Sequence, residues 1–214
     1  MSPPSVRTRI ATYHWRKATT TPVLMVAFFV IYFQVLNHPL SPPVQVPHTA
    51  PDRWISFQPW ALIPYASLWL YVIIPSALMM RLRELRDHAL GAIALGGIGL
   101  LIFILWPTIT PPSHIDWSAH PQMQFLKNID ASGNACPSLH VAFAVFGACW
   151  LARVLRRMHA GTFIQCLNVL WAVAIAYSTI ATRQHVALDV LAGAALGWIV
   201  AAINLRLCPD QPDV

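Results

Sequence analysis

The chain has 214 residues, 57% of them hydrophobic and only 10% charged. Its mean hydropathy is +0.55. Soluble domains carry roughly 25% charged residues, so the composition argues against a soluble globular protein. It equally excludes disorder, which needs low hydrophobicity and high charge. The formal charge of +6 would suit nucleic acid, but its placement along the chain reads as membrane orientation, and no nucleic-acid partner is expected. Four cysteines in a chain of this length do not make a disulfide scaffold.

Six apolar stretches follow one another: Pro22–Leu36, Pro59–Met80, Ala89–Trp106, Pro137 to about Leu155, Ala160–Ala181 and Val186–Leu205. A membrane-crossing helix takes about 20 residues, so six spans use most of the chain. The Gly, Pro and polar residues within them are tolerable where neighbouring helices cover the backbone. The expected fold is therefore all-α, a polytopic six-helix membrane bundle. Residues 1–21 would form a cytoplasmic segment, 22–205 the membrane domain and 206–214 a cytoplasmic tail. The first stretch also resembles a signal-peptide core. Asn37-His38-Pro39 after it lacks a small-x-small cleavage pattern, which favours an uncleaved anchor.

The basic residues alternate. Arg7, Arg9, Arg16 and Lys17 precede the first span; Arg81, Arg83 and Arg86 lie between the second and third; Arg153, Arg156 and Arg157 lie between the fourth and fifth; Arg206 follows the sixth. The other connections hold only Arg53, Lys127 and Arg183. Eleven against three places both termini on the cytoplasmic side. The outer loops, about 37–58 and 107–136, are rich in Pro, His and Trp and are expected to be irregular. Trp54, Trp60, Trp106 and Trp117 suit an outer aromatic belt.

Two polar clusters stand out. Asp189 is the one carboxylate well inside a predicted span, where an ionisable group is costly and needs a partner. His185 lies four residues earlier, and on a helix positions i and i+4 share a face. The carboxylate would fix the imidazole tautomer and leave the other nitrogen as a nucleophile. Arg183 sits beside them at the mouth of the span. The second cluster, Cys136-Pro137-Ser138-Leu139-His140, opens the fourth span. Pro suits a helix start, Ser138 adds a hydroxyl beside unpaired amides, and helix N-termini favour anions. His140 follows in the first turn. The fourth and sixth spans begin on the same, outer side, so both clusters share one membrane face. A cation, a helix N-terminus, an activated His and a second His are the parts that phosphoryl transfer needs.

Taken singly, each of these residues has an ordinary reading. His140 reads as a packed helix residue, Asp189 with His185 as an interhelical polar pair, Arg183 as an interfacial side chain and Ser138 as a helix cap. Gly193 and Gly197 read as a close helix contact. No intramolecular disulfide is expected, and Cys136 is not expected to be catalytic. His114 and His120 flanking Asp116 are too sparse for a metal site, and His38 and His48 read as loop residues.

The clusters resemble the type-2 phosphatidic acid phosphatase superfamily, whose members act on lipid phosphates and diphosphates. Pro137, Ser138 and His140 match its Pro-Ser-x-His element. Arg183, His185 and Asp189 match its Arg…His-x-x-x-Asp element. Only Gln184 separates Arg183 from His185, a spacing similar to the branch near inositol phosphorylceramide synthases. The superfamily's first motif, Lys-x6-Arg-Pro, is not found. Trp106-Pro107-Thr-Ile-Thr-Pro111-Pro112 resembles the Pro-rich element of the short-spaced branch. The resemblance implies a six-helix bundle of this lipid-phosphatase type and catalysis with no metal and no cofactor. His185 would be the nucleophile forming a phosphohistidine, Asp189 its partner, and His140 the acid and then the base. Arg183 and Ser138 would hold phosphoryl oxygens, with Lys127 as a further candidate contact. The substrate would be a lipid phosphate or diphosphate, reached from the surrounding membrane lipids. An outward-facing site in a bacterial-type inner membrane would fit. A lipid phosphotransferase with an alcohol acceptor, and a non-enzymatic lipid-binding or transport protein, stay open. A haem-binding bundle would need apposed histidines within spans. Oligomeric state is not legible.

Overall fold

A computed structural model describes residues 4–113, 115–124 and 133–208. Among the described residues, six helical segments are long and apolar enough to cross a membrane: His14–Asn37, Pro59–Leu78, Leu82–Leu105, Leu139–Arg157, Thr162–Ala181 and Ala187–Leu207. They mark an integral membrane protein and agree with the six stretches read from the sequence.

The chain opens with a short helix α1 (Val6–Ala11) and the first long helix α2 (His14–Asn37). A short α3 (Ala50–Trp54) follows in the first long loop. The second span is broken into α4 (Leu62–Tyr71) and α5 (Ile73–Leu78). Pro75 has no N–H to return to Tyr71, so the hydrogen-bond ladder is interrupted at that point. The long helices α6 (Leu82–Leu105), α7 (Leu139–Arg157), α8 (Thr162–Ala181) and α9 (Ala187–Leu207) complete the bundle.

Two boundaries differ from the sequence reading. Helix α2 begins at His14, not Pro22, because polar residues invisible to hydropathy find partners. Lys17 Nζ donates to the carbonyls of Arg9 (2.7 Å) and Ala77 (2.8 Å), fastening α2 to the end of α5. Helix α6 begins at Leu82 and takes Arg83 and Arg86 into its first turns.

Helix α7 is the most buried span. Trp150, Phe146 and Ala142 on it form the centre of the core with Leu95, Phe103 and Ala201 from its neighbours. Its tightest partner is α9. A Cβ at Gly193 would lie 2.2 Å from the Ser138 carbonyl oxygen, and one at Gly197 2.3 Å from that of Ala142. The two glycines let the backbones touch, as the G-x-x-x-G spacing suggests. Helix α2, by contrast, has no fully buried residue and lies at the periphery, with Phe28, Tyr32 and Val35 against the core.

Among the described residues, parts of the long loops pair with one another. Strand β1 (Val44–Gln45) pairs in parallel with β2 (Thr108–Ile109), and Ile109 bridges to Gly133 on its other side. Cys136 N–H donates to Thr108 Oγ1 at 2.8 Å. The Pro-rich stretch after α6 is thus wedged between the first loop and the entry to α7. The opposite end of the bundle carries most of the basic side chains. Arg153 there donates to the carbonyls of Leu205 and Cys208, and Arg157 pairs with the buried Glu84.

Candidate active site

Helix α8 ends in a turn in which Thr182 N–H donates to Ser178 O (2.8 Å) and Arg183 N–H to Ile180 O (2.9 Å). Arg183 adopts φ 58°, the left-handed conformation that stops a helix. The amides of Gln184 and His185 then both return to the Thr179 carbonyl, at 3.0 and 3.1 Å. His185 therefore lies in the connecting segment, and helix α9 starts only at Ala187. This corrects the sequence reading of two residues on one helical face. The residue is brought to Asp189 by a turn, and Asp189 sits in the first turn of α9.

Asp189 is fully buried. Its Oδ2 accepts from Val186 N–H at 3.0 Å and lies 3.4 Å from His185 Nδ1. With Nδ1 facing the carboxylate, Nε2 is the nitrogen left for chemistry. The thiol of Cys136 stands beside the same carboxylate. Burial, and then the charge and hydrogen bond of Asp189, push it up to about 11. Cys136 is therefore a neutral thiol at physiological pH, a poor nucleophile.

The second cluster docks on the first through the backbone. Ser138 N–H donates to the Asp189 carbonyl at 3.0 Å, at the contact that Gly193 permits. Ser138 caps α7, its Oγ accepting from Val141 N–H at 3.3 Å. The amides of Leu139 and His140, at the first two helical positions, have no partner within the helix and suit an anion. His140 Nε2 is 3.0 Å from the Tyr65 carbonyl, and its ring stacks on Tyr65 with centroids 4.0 Å apart. A carbonyl only accepts, so Nε2 carries the hydrogen and Nδ1 is the exchangeable nitrogen.

His140 and His185 line one cavity of about 500 Å³, walled mainly by apolar side chains of α2, α4, α6 and α7, with Thr20, Thr21, Ser76, His88 and Asn134 among its other polar residues. The structure thus brings together Ser138, His140, His185 and Asp189. Arg183 is close in sequence but engaged elsewhere: its Nη1 and Nη2 donate to the carbonyls of Asp52 (3.0 Å) and Ile55 (2.9 Å). A guanidinium has five N–H donors, so holding α3 and contacting an anion are compatible. Lys127 lies outside the described residues, as does His114. Asp116 accepts from Ser118 N–H and hydroxyl in a local turn. Among the described residues no group of three metal-ligating side chains gathers.

Asp52 was not singled out from the sequence. Thr49-Ala50-Pro51-Asp52 is a capping-box pattern, and Asp52 Oδ2 accepts from Thr49 N–H and hydroxyl, both at 2.7 Å. Its second contact carries no sequence signal: Oδ1 accepts from Ala187 N–H at 2.7 Å. One buried carboxylate thus ties α3 to the start of α9, while Arg183 holds the Asp52 and Ile55 carbonyls at the end of the same helix. Burial raises the Asp52 pKa, but the hydrogen bonds of Thr49 and Ala187 outweigh it and leave it below its ordinary value. A depressed carboxylate stabilises the fold above its unfolded pKa, and the contribution is lost as pH falls through the folded value. Replacing Asp52 with alanine is expected to lower kcat about tenfold or more, since it leaves a buried amide unpaired beside His185. It should also flatten the acid side of the melting-temperature profile below about pH 4. Thermal melts across pH 3–7 and steady-state kinetics check both.

A family model, PAP2 superfamily, matches residues 89–212. The chain belongs to the PAP2 superfamily. The match runs from α6 through α9 and so contains both clusters, but none of α2, α3 or α4. Comparison with curated proteins and with solved structures gives no match. Superfamily membership supports phosphatase-type chemistry on lipid phosphates in general and fits the helical membrane fold.

Proposed function

We propose that this PAP2 protein is a metal-independent lipid phosphatase working through a phosphohistidine. One observation carries the reading: His185, backed by Asp189, and His140 open onto the same apolar cavity. His185 Nε2 attacks phosphorus and the P–O bond to the lipid breaks. His140 gives its Nδ1 proton to the departing oxygen. It then takes a proton from water, whose oxygen attacks the phosphohistidine, releasing phosphate and restoring His185. Ser138, the α7 amides and Arg183 hold the phosphoryl oxygens, with Lys127 as a further contact. The distribution of basic residues favours cytoplasmic termini and a site facing the exterior of a bacterial-type inner membrane.

The single residue between Arg183 and His185 favours a second reading, a lipid phosphotransferase that moves a phospho-headgroup to an alcohol acceptor in place of water. Phosphate release in detergent decides between them. The panel holds polyprenyl diphosphate, phosphatidic acid, phosphatidylglycerophosphate and a soluble diphosphate, with and without chelator. Release from a lipid, changed less than about twofold by chelator, is the expected result. A metal-assisted reaction would lose several kcal/mol of transition-state stabilisation and far more rate. No release, followed by transfer to an added alcohol, would select the second reading. Failure of both would leave lipid binding or transport.

A further inference from the structure

The cavity that holds His140 and His185 is much longer than a phosphate site. On α2 it is lined from Thr20 to Phe33, and on α6 from Leu85 to Leu100. At 1.5 Å per residue, both walls run for about 20 Å, most of the way across a hydrocarbon core of about 30 Å. The groove is continuous with the two histidines at one end. Its far end lies by Thr20, Thr21, Ser76 and His88. Ser76 returns its hydroxyl to the Ile73 carbonyl at 2.9 Å, and the His88 ring packs on Phe146 and Trp150. Between the ends the lining is small or apolar and includes Ala27 and Phe28 on α2 and Ala92 and Gly96 on α6.

We infer that this groove is the tail site of the enzyme: a long hydrocarbon chain of the substrate lies inside the protein between α2 and α6, and its length is read there. This deepens the lipid-phosphatase reading and rests on it for the headgroup chemistry. Three features point to a chain. The lining is mostly apolar, the long axis follows the helices, and the two catalytic histidines stand at one end. Helix α2 closes the groove while burying no residue of its own completely, as a wall does when its partner is a ligand. That wall lies outside the superfamily match, so chain selection would belong to this protein's own N-terminal half.

The test uses two substrates with one headgroup, hexadecyl phosphate and hexyl phosphate. Ala92→Trp fills the groove from α6 and Ala27→Trp from α2. Each buried methylene contributes to binding separately, so excluding the distal half of a chain should lower the long-to-short ratio of kcat/KM by about tenfold or more in both variants. Binding of hexadecylphosphonate, which cannot be hydrolysed, should weaken in parallel. A ratio unchanged in both variants, or an equal loss on both substrates, would overturn the tail site. The two readings fail separately. Wild-type protein that hydrolyses neither phosphate yet binds the phosphonate, with binding lost in both variants, would refute the phosphatase and keep the groove. Wild-type protein that does not bind the phosphonate would refute the groove.

Discussion

His185→Ala is expected to reduce phosphate release on the order of 10⁴-fold or more, the scale at which removing a covalent nucleophile acts. Neither Cys136 nor Asp189 replaces it. Cys136 is held protonated, and Asp189 is fully buried behind the imidazole. Asp189→Asn should cost less, on the order of 10²- to 10⁴-fold. The amide oxygen can still accept from Val186 N–H, but the charge that steadies the imidazolium is lost. The decisive readout is the intermediate. Brief reaction with a substrate labelled in its phosphorus should leave acid-labile, base-stable label on wild-type protein and none on His185→Ala. Retention of more than about a hundredth of the wild-type rate by His185→Ala would exclude a phosphohistidine on this residue.

Legibility of the sequence followed the range of the forces involved. Span positions depend on hydropathy summed over about 20 residues, so all six were legible from the run of apolar residues along the chain. The polar start of α2 was not, because Lys17 gains its partners from α1 and α5. Gly193 and Gly197 were legible as a contact surface because a helix repeats its face every four residues. The identity of the facing backbone, at Ser138 and Ala142, was not. The same limit governs the site. Its residues were readable as motifs, but their mutual placement was not: His185 reaches Asp189 through a left-handed Arg183 rather than along a helix. The hydrogen bond from Ala187 to Asp52 spans 135 residues and leaves no periodicity to read. The groove is legible only as unfilled volume between α2 and α6, which no local pattern encodes.

Gly193 is where fold and chemistry meet, and Gly193→Ala is expected to damage both. The new Cβ would stand 2.2 Å from the Ser138 carbonyl oxygen and 3.1–3.2 Å from the same residue's C and N. These are backbone atoms at the start of a helix, so no side chain can rotate away. Helices α7 and α9 must part, and overpacking of this kind costs about 1–3 kcal/mol. The parting acts on the bond from Ser138 N–H to the Asp189 carbonyl, which sets the His140 cluster against the His185 cluster. Displacement by about an ångström at a reacting centre costs on the order of 10²-fold in rate. The variant should therefore melt lower in detergent and show a depressed kcat even at temperatures where it is fully folded. Gly97→Ala is the stability control. Nothing lies within 4 Å of its added Cβ, and alanine is the better helix former by about 1 kcal/mol, so its melting temperature should hold or rise. If Gly193→Ala melts like the wild type and keeps its kcat, the α7–α9 contact does not set the relation between the two histidines.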